Sequence, residues 1–308
     1  MYRVQKFLLR RFTAAIVTLL TVSVLVFVLA RMQGDPRTIL LSDDTTQADY
    51  DAWGREFGLD KPITVQYLIY MGKLVRGDLG KSVLQRVPVS KLLWSRIPNS
   101  AQLAALAFAF SVIIGVPLGV LAAVTRGGVW DYLARSFAII GHAAPSFWIG
   151  LVLILVFAVS LEWLPTSRKS GLDSMILPAI TLGWGSAGGQ LRLVRSSMLE
   201  VLDSEFIKLA RAKGVPGRSV VWKHALRNAM IAPLTFAGLT LAGLITGTIV
   251  VETIFAWPGL GLLSIQALNN SDYPVIQGVI LMVTLVYVVT AFSVDILYAY
   301  LDPRIKYT

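Results

Sequence analysis

Six stretches of this chain contain no Asp, Glu, Lys or Arg: Phe12–Ala30, Asn99–Thr125, Ser136–Leu161, Ser174–Leu191, Asn228–Val251 and Tyr273–Val294. A helix needs about 20 apolar residues to cross a bilayer. In lipid each backbone N–H and C=O must be paired inside the protein, which a helix does by itself. The windows therefore predict an all-α, polytopic membrane protein with six transmembrane helices. Gly115, Pro117, Pro145, Pro178 and Pro233 lie inside windows. Membrane helices tolerate such residues where neighbours pair the freed backbone groups.

Composition agrees. Of 308 residues, 55% are hydrophobic and 15% are charged, against about 25% charged in soluble domains. The chain has no cysteine. That excludes disulfides, iron–sulfur clusters, Cys-ligated zinc and thiol catalysis. Its two histidines, His142 and His224, are too few for a histidine metal site. The first window follows Arg3, Lys6, Arg10 and Arg11 and so resembles a signal peptide, with Val28-Leu29-Ala30 as a weak cleavage site. It is longer than the roughly 7–15 residues of a signal core. A retained N-terminal transmembrane helix over 1–30 is expected.

The basic residues set orientation. With the N-terminus inside, the inner segments 1–11, 125–135, 192–227 and 295–308 hold four, two, eight and two Lys or Arg. The two short outer loops hold only Arg168 and Lys169. The segment Arg31–Pro98 carries ten basic and eight acidic residues and is too long for the positive-inside rule. The net charge of +10 is then mainly a topology signal. Both termini are expected in the cytoplasm, membrane lipid is the expected surrounding, and nucleic acid is not needed as a partner.

Two loops have structure of their own. In the outer segment, Asp60 can cap a helix with Pro62 in its first turn. Tyr67, Leu68, Met71, Leu74 and Val75 recur at helical spacing, and Arg76-Gly77 closes the run. A shorter helix is expected around Asp49–Phe57, ending at Gly58. The inner segment Arg192–Arg227 offers Asp203-Ser204 as an N-cap and a Glu205–Lys208 pair at i,i+3. Phe206, Leu209, Ala210 and Lys213 fall on one side, and Gly214 is the stop. Pro216 opens a second stretch with Val220, Val221 and His224. Helices this short are not stable alone. They either dock on a partner or lie on the membrane surface.

Motifs of chemistry are sparse. Val75–Ser82 (VRGDLGKS) has the end of a phosphate-binding loop but Val75 in place of its first glycine, no preceding strand, and an outer location. A glycine-rich turn is the expected reading. No G-x-S-x-G or H-E-x-x-H occurs. His142 beside Pro145 and Ser146 is expected to be a packed or hydrogen-bonded structural histidine rather than a proton relay, and His224 a contact or capping residue. Glu252 and Asp295 sit at window edges, where a charge costs less than at mid-bilayer. Glu252, ahead of Trp257-Pro258-Gly259-Leu260-Gly261, is expected to be structural; the alternatives are an outer gate with Trp257 or a pair with a basic residue. Asp295 is expected to be structural. Gly115/Gly119, Gly185/Gly189 and Gly243/Gly247 repeat at the spacing that lets membrane helices approach closely. An intramembrane hydrolase needs paired buried catalytic groups, and an ion-coupled transporter favours carboxylates within its spans. Neither pattern is visible in the windows.

The inner loop also carries a resemblance. F-I-K-L-A-R-A-K-G-V at 206–215 and W-K-H-A-L-R-N-A-M-I-A-P at 222–233 are similar to the loop of permeases of ATP-binding-cassette (ABC) importers, in its peptide and nickel version. Against the general pattern of that family (E-A-A, three residues, G, nine residues, I-x-L-P), Ala210, Gly214 and Leu226 match. Lys208, Leu209, His224 and Arg227 depart as that subfamily does. Further fragments resemble its first-position subunit in order along the chain: G-D-P at Gly34–Pro36, F-G-L-D-K-P at Phe57–Pro62, G-D-L-G-K-S at Gly77–Ser82 and W-L-P at Trp163–Pro165. V-E-T-I-F-A-W-P-G-L-G at Val251–Gly261, D-Y-P at Asp272–Pro274 and L-D-P-R-I-K-Y at Leu301–Tyr307 complete the series.

The resemblance implies a type I ABC importer transmembrane domain over 99–300, a small helical extracytoplasmic insertion over 31–98, a coupling loop at 192–227 and a cytosolic tail at 301–308. It implies a permease of the bacterial inner membrane for peptides or similar small solutes, with nickel chelates, glutathione and oligosaccharides as alternatives. The implied partners are two cytosolic ABC ATPase subunits, a second paralogous permease and an extracytoplasmic solute-binding protein. No cofactor is implied, because ATP is bound by the partner subunits. The residues implied in ATPase coupling are Asp203, Glu205, Phe206, Lys208, Leu209, Ala210, Arg211, Lys213, Gly214, His224, Leu226 and Arg227.

Overall fold

The computed structural model describes residues 2–32, 46–56 and 59–301. The G-D-P fragment, Phe57-Gly58 and the tail from Asp302 onward lie outside the described residues. The helices are α1 (Tyr2–Met32), α2 (Gln47–Glu56), α3 (Ile63–Val75), α4 (Val89–Val124), α5 (Val129–Ala143), α6 (Ser146–Ser160) and α7 (Ile176–Leu202). They continue as α8 (Glu205–Ala212), α9 (Gly217–Ala229), α10 (Ile231–Thr246), α11 (Thr248–Ile254), α12 (Leu260–Asn269) and α13 (Tyr273–Leu301).

Helices Leu8–Met32, Val89–Val124 and Tyr273–Ile296 are each long and apolar enough to cross a membrane. Two bent pairs pass the same test together, α5 with α6 at 112° and α9 with α10 at 58°, so up to five spans follow from length and composition. The third window is therefore not one straight helix. Pro145 disfavours helical backbone at the residue before it, and Ala144 is extended at φ −79°, ψ 134°. The fifth window divides among α9, α10 and α11, with breaks at Met230 and Gly247. The fourth lies in α7, whose glycines, Gln190 and Arg192 dilute its apolar character.

That dilution suits the position of α7, which packs against α4, α5, α6 and α10 and so has little need to face lipid. Gly115 and Gly119 set the α4–α7 spacing. A Cβ at Gly115 would stand 2.7 Å from the Ala187 carbonyl oxygen, and one at Gly119 would stand 2.7 Å from the Val194 Cβ. The closeness expected of Gly243 is not seen, since a Cβ there would meet nothing within 4 Å. Buried Gln190 donates to the Pro233 carbonyl at 3.2 Å, tying α7 to α10.

Where α7 begins, Leu103, Ile149, Leu177, Val251, Phe255 and Trp257 form one apolar cluster. Where it ends, Val120, Val194, Met198, Val220 and Ala225 form another. The first helix packs along α13, with Arg11 Nε 3.3 Å from Asp295 Oδ2. Near its other end, Ser23 Oγ is 2.8 Å from the Tyr67 hydroxyl of α3, and the Phe27 ring meets Tyr67 edge-on and Tyr70 at a tilt. The run Tyr67–Val75 forms the helix its spacing predicts, with Leu68 and Val75 exposed.

Candidate coupling site

The end of α7 leads directly into α8. Ser204 takes the N-cap position in extended backbone, but its hydroxyl donates back to the Val201 carbonyl. Asp203 ends α7 with its side chain exposed. Lys208 Nζ pairs with Glu205 Oε1 at 2.8 Å, as the spacing predicts. The C-terminus closes as a Schellman motif. The Val215 amide donates to Ala210 O at 3.2 Å and the Gly214 amide to Arg211 O at 3.0 Å. Gly214 has φ +77°, the left-handed region that a Cβ disfavours.

The two faces of α8 differ. Ile207 is fully buried and joins the cluster at the end of α7. Phe206 and Leu209, from the side singled out in the sequence, are 46% and 56% exposed. Ala210, on the same side, is half-buried, and Lys213 and Arg211 are exposed. Ile207 is the residue that sequence reasoning missed. It is a lone apolar residue among polar neighbours on its face, and periodicity over eight residues cannot single it out. The following helix, α9, is anchored by Val220 and Ala225 and exposes Trp222 and Arg227. Its turn through Val220–Ala225 is π-helical, a feature frequent at functional sites. Leu226 packs on the buried cluster, and the His224 carbonyl accepts from Asn228 Nδ2 at 2.7 Å.

The same end holds an ion pair that the sequence did not flag. Asp131 of α5 is buried and receives Arg195 of α7 through two bonds, Nε to Oδ1 at 2.7 Å and Nη2 to Oδ2 at 2.8 Å. The Gly127 amide adds a third at 3.0 Å. Bidentate Arg–carboxylate geometry is both strong and directional.

At the opposite end Glu252 and Trp257 are buried in one hydrogen-bonded corner. Glu252 accepts from Ser100 Oγ at 2.6 Å and from the amides of Gly261 and Leu262 at 2.7 and 3.1 Å. Ser100 Oγ in turn accepts from the Leu260 amide at 2.8 Å. The first N–H groups of α12, which have no partner within the helix, are thus capped from α4 and α11. Trp257 Nε1 donates to the Asn99 carbonyl at 3.0 Å, and Lys169 Nζ lies over its ring. Nearby, Ser82 of the G-D-L-G-K-S fragment donates to Asp272 of the D-Y-P fragment. The Val83 amide bonds the same carboxylate at 3.2 Å.

His142 is not packed as expected. It is exposed and lines a cavity between α5, α6 and α7. The bend at Ala144-Pro145 turns α6 away from α5, which opens the cavity beside the ring.

Fold and site together define a membrane-embedded helical bundle with a short amphipathic helix anchored at one end. Residues 115–307 match the family described as "Binding-protein-dependent transport system inner membrane component". Residues 4–104 match its N-terminal companion, "Binding-prot-dependent transport system membrane comp, N-term". The chain belongs to this family of importer permeases, whose members are transport components and not enzymes, and which work with ATPase and substrate-binding partners. Among similar proteins, the oligopeptide transport system permease protein AppB of Bacillus subtilis (strain 168) is 38% identical, covering 98% of this chain and 99% of that protein. The glutathione transport system permease protein GsiC of Escherichia coli (strain K12) is 39% identical over the same shares. The inward-facing MetNI methionine ABC transporter has a similar fold, with TM-score 0.57 and 22% identity over 68% of this chain and 96% of that one.

Proposed function

We propose that this chain is one half of the translocation pathway of an ATP-driven, binding-protein-dependent importer for di- or oligopeptides or similar small solutes. The likeness over almost the full length to AppB and GsiC supports the solute class. Oligopeptide and glutathione both present a peptide backbone with free carboxylates. Nickel chelates and oligosaccharides are the alternative cargo.

The chain crosses the bilayer six times with both termini in the cytoplasm. Arg31–Pro98 lies outside, and the α7–α10 connection faces the ATPases. The core pairs with a second, paralogous permease. Two ATPase subunits engage the connecting loops, and a solute-binding protein delivers cargo to the outer face. Closure of the ATPases on ATP turns the pair from inward- to outward-facing, which requires two bistable packings of the bundle.

One observation carries the coupling role: Ile207 fixes α8 to the bundle while Phe206 and Leu209 stand out from it. A helix anchored by its own buried face presents its other face rigidly, as a lever must. The lipid-surface alternative needs no such anchor. The reading is tested by reconstituting the chain with its partner permease, ATPases and binding protein in liposomes. Uptake of labelled trialanine should require ATP, the binding protein and this chain together. ATP-independent uptake driven by a proton or sodium gradient would overturn it.

A further inference from the structure

The cavity beside His142 has a volume of about 590 Å³ and is walled by α5, α6, α7 and Phe236 of α10. That is within the roughly 300–1,000 Å³ of small-molecule sites. Its α7 wall is a stripe. Leu182, Ser186, Gly189, Leu193 and Ser196 line it at the i, i+3/i+4 spacing of one helix face. The stripe covers about 21 Å at 1.5 Å per residue, so the site is longer than a socket for one small group.

The chemistry of the lining is one-sided. No Asp or Glu lines the cavity, and Arg192 is its one fixed charge. The ring of His142, the guanidinium of Arg192 and the hydroxyls of Ser146, Ser186 and Ser196 have no hydrogen-bond or ion-pair partner among the described residues. Arg195, one turn along and also on α7, is by contrast held bidentately by Asp131. Two arginines close in sequence are thus treated differently: one is neutralised in the scaffold, the other left available in the cavity.

We propose that this stripe is the path by which transported solute passes this subunit, and that Arg192, with Ser196 one turn along the same helix, receives a carboxylate of that solute. The proposal rests on the importer reading above. A guanidinium presents a planar fork of donors to a carboxylate, and hydroxyls can complete the shell. The Phe236 ring packs on Gly189, where a Cβ would stand 2.7 Å from it, and so forms the wall of the track opposite the serines.

The absence of native cysteine allows a test that needs no knowledge of the cargo. Ser196→Cys in the complete detergent-purified transporter is reacted with an anionic (sulfonatoethyl) and a cationic (trimethylammonioethyl) methanethiosulfonate. The ratio of the two rates is compared at this one position with and without Arg192→Met, so that Glu200, one turn beyond Ser196, contributes equally to both. A unit charge one helical turn away, about 6 Å, changes each reagent's local concentration about threefold even at the dielectric of water, and so the ratio about tenfold. The anionic-to-cationic ratio at Ser196→Cys should fall about tenfold on adding Arg192→Met and persist with Arg192→Lys. In liposomes, Arg192→Met should lower trialanine uptake at least about tenfold while Arg192→Lys stays within about threefold. A ratio indifferent to Arg192→Met overturns the proposal, as does a Ser196→Cys that neither reagent reaches because the partner permease covers it. A Ser196→Cys transporter that labels as described, while the wild type imports no trialanine, contradicts the peptide reading and leaves the carboxylate site standing.

Discussion

Ser100 of α4 and Glu252 of α11 are joined by a 2.6 Å hydrogen bond across 152 residues of chain. Through it α4, α11 and the start of α12 become one unit. A Cβ on Gly259 would collide with the carboxylate at 2.4 Å, so the turn between α11 and α12 has the room it needs only as glycine. Glu252 is fully buried, and its partners there are donors of the surrounding backbone and of Ser100 rather than a basic side chain.

Glu252→Ala should therefore weaken the fold before it affects passage. It strands the Gly261 and Leu262 amides and the Ser100 hydroxyl, at about 1–3 kcal/mol for each buried group left unpaired. A lower thermal midpoint of the detergent-purified protein is expected, with a smaller loss for Glu252→Gln. An unchanged midpoint with altered uptake would instead favour a gate.

The Ser82–Asp272 bond holds the turn at 82–87 against the start of α13. Asp272→Ala should release that turn, and trypsin should cut at exposed Arg86 at least about tenfold faster. Equal cleavage rates would mean that the turn is held by something other than this carboxylate.

Asp131 and Arg195 should behave as a pair. Asp131→Asn leaves the Arg195 and Arg135 guanidiniums short of their counter-charge, and Arg195→Met leaves a buried carboxylate with only Arg135, at 3.4 Å, beside it. The double variant should be less impaired than the sum of the singles, with a coupling of about 1–3 kcal/mol by thermal or chemical denaturation. Strict additivity would contradict the pairing.

The six-span arrangement predicts sidedness. Ser170→Cys, exposed in the turn before α7, should react with an impermeant maleimide added to whole cells. Ser219→Cys should react only after the membrane is opened. Labelling of Ser219→Cys from outside would reverse the topology.

The membrane class was legible because lipid forbids charge over about 20 residues, and that constraint is visible in one dimension. Bends were not: Pro145 breaks its window by more than a right angle, whereas Pro98 and Pro117 run inside α4 without ending it. The same residue does opposite things, according to whether neighbours pair the freed carbonyl. The polar corners were missed for a related reason. Ser100, Asp131 and Arg195 each read as ordinary residues near a span end, and only folding brings their partners within reach. Glu205–Lys208 and Gly214 were readable because their reasons are local. Ile207 was not, since its burial depends on α4, α7 and α9.

The central claim is that the exposed face of α8 couples this chain to ATPases. Leu209→Glu puts a charge on that face, and burying it unpaired in a contact would cost several kcal/mol. Gly214→Val strains the left-handed turn by about 1–2 kcal/mol and misaims the helix, although nothing surrounds the position within 4 Å. Ile207→Ala opens a cavity in the bundle and should cost about 2–5 kcal/mol of stability. The deciding measurement is the amount of ATPase subunit that co-purifies with each variant. The account predicts normal membrane levels of Leu209→Glu and Gly214→Val with at least about tenfold less bound ATPase, and a lower thermal midpoint for Ile207→Ala. Full ATPase stoichiometry and full uptake with both Leu209→Glu and Gly214→Val would contradict it.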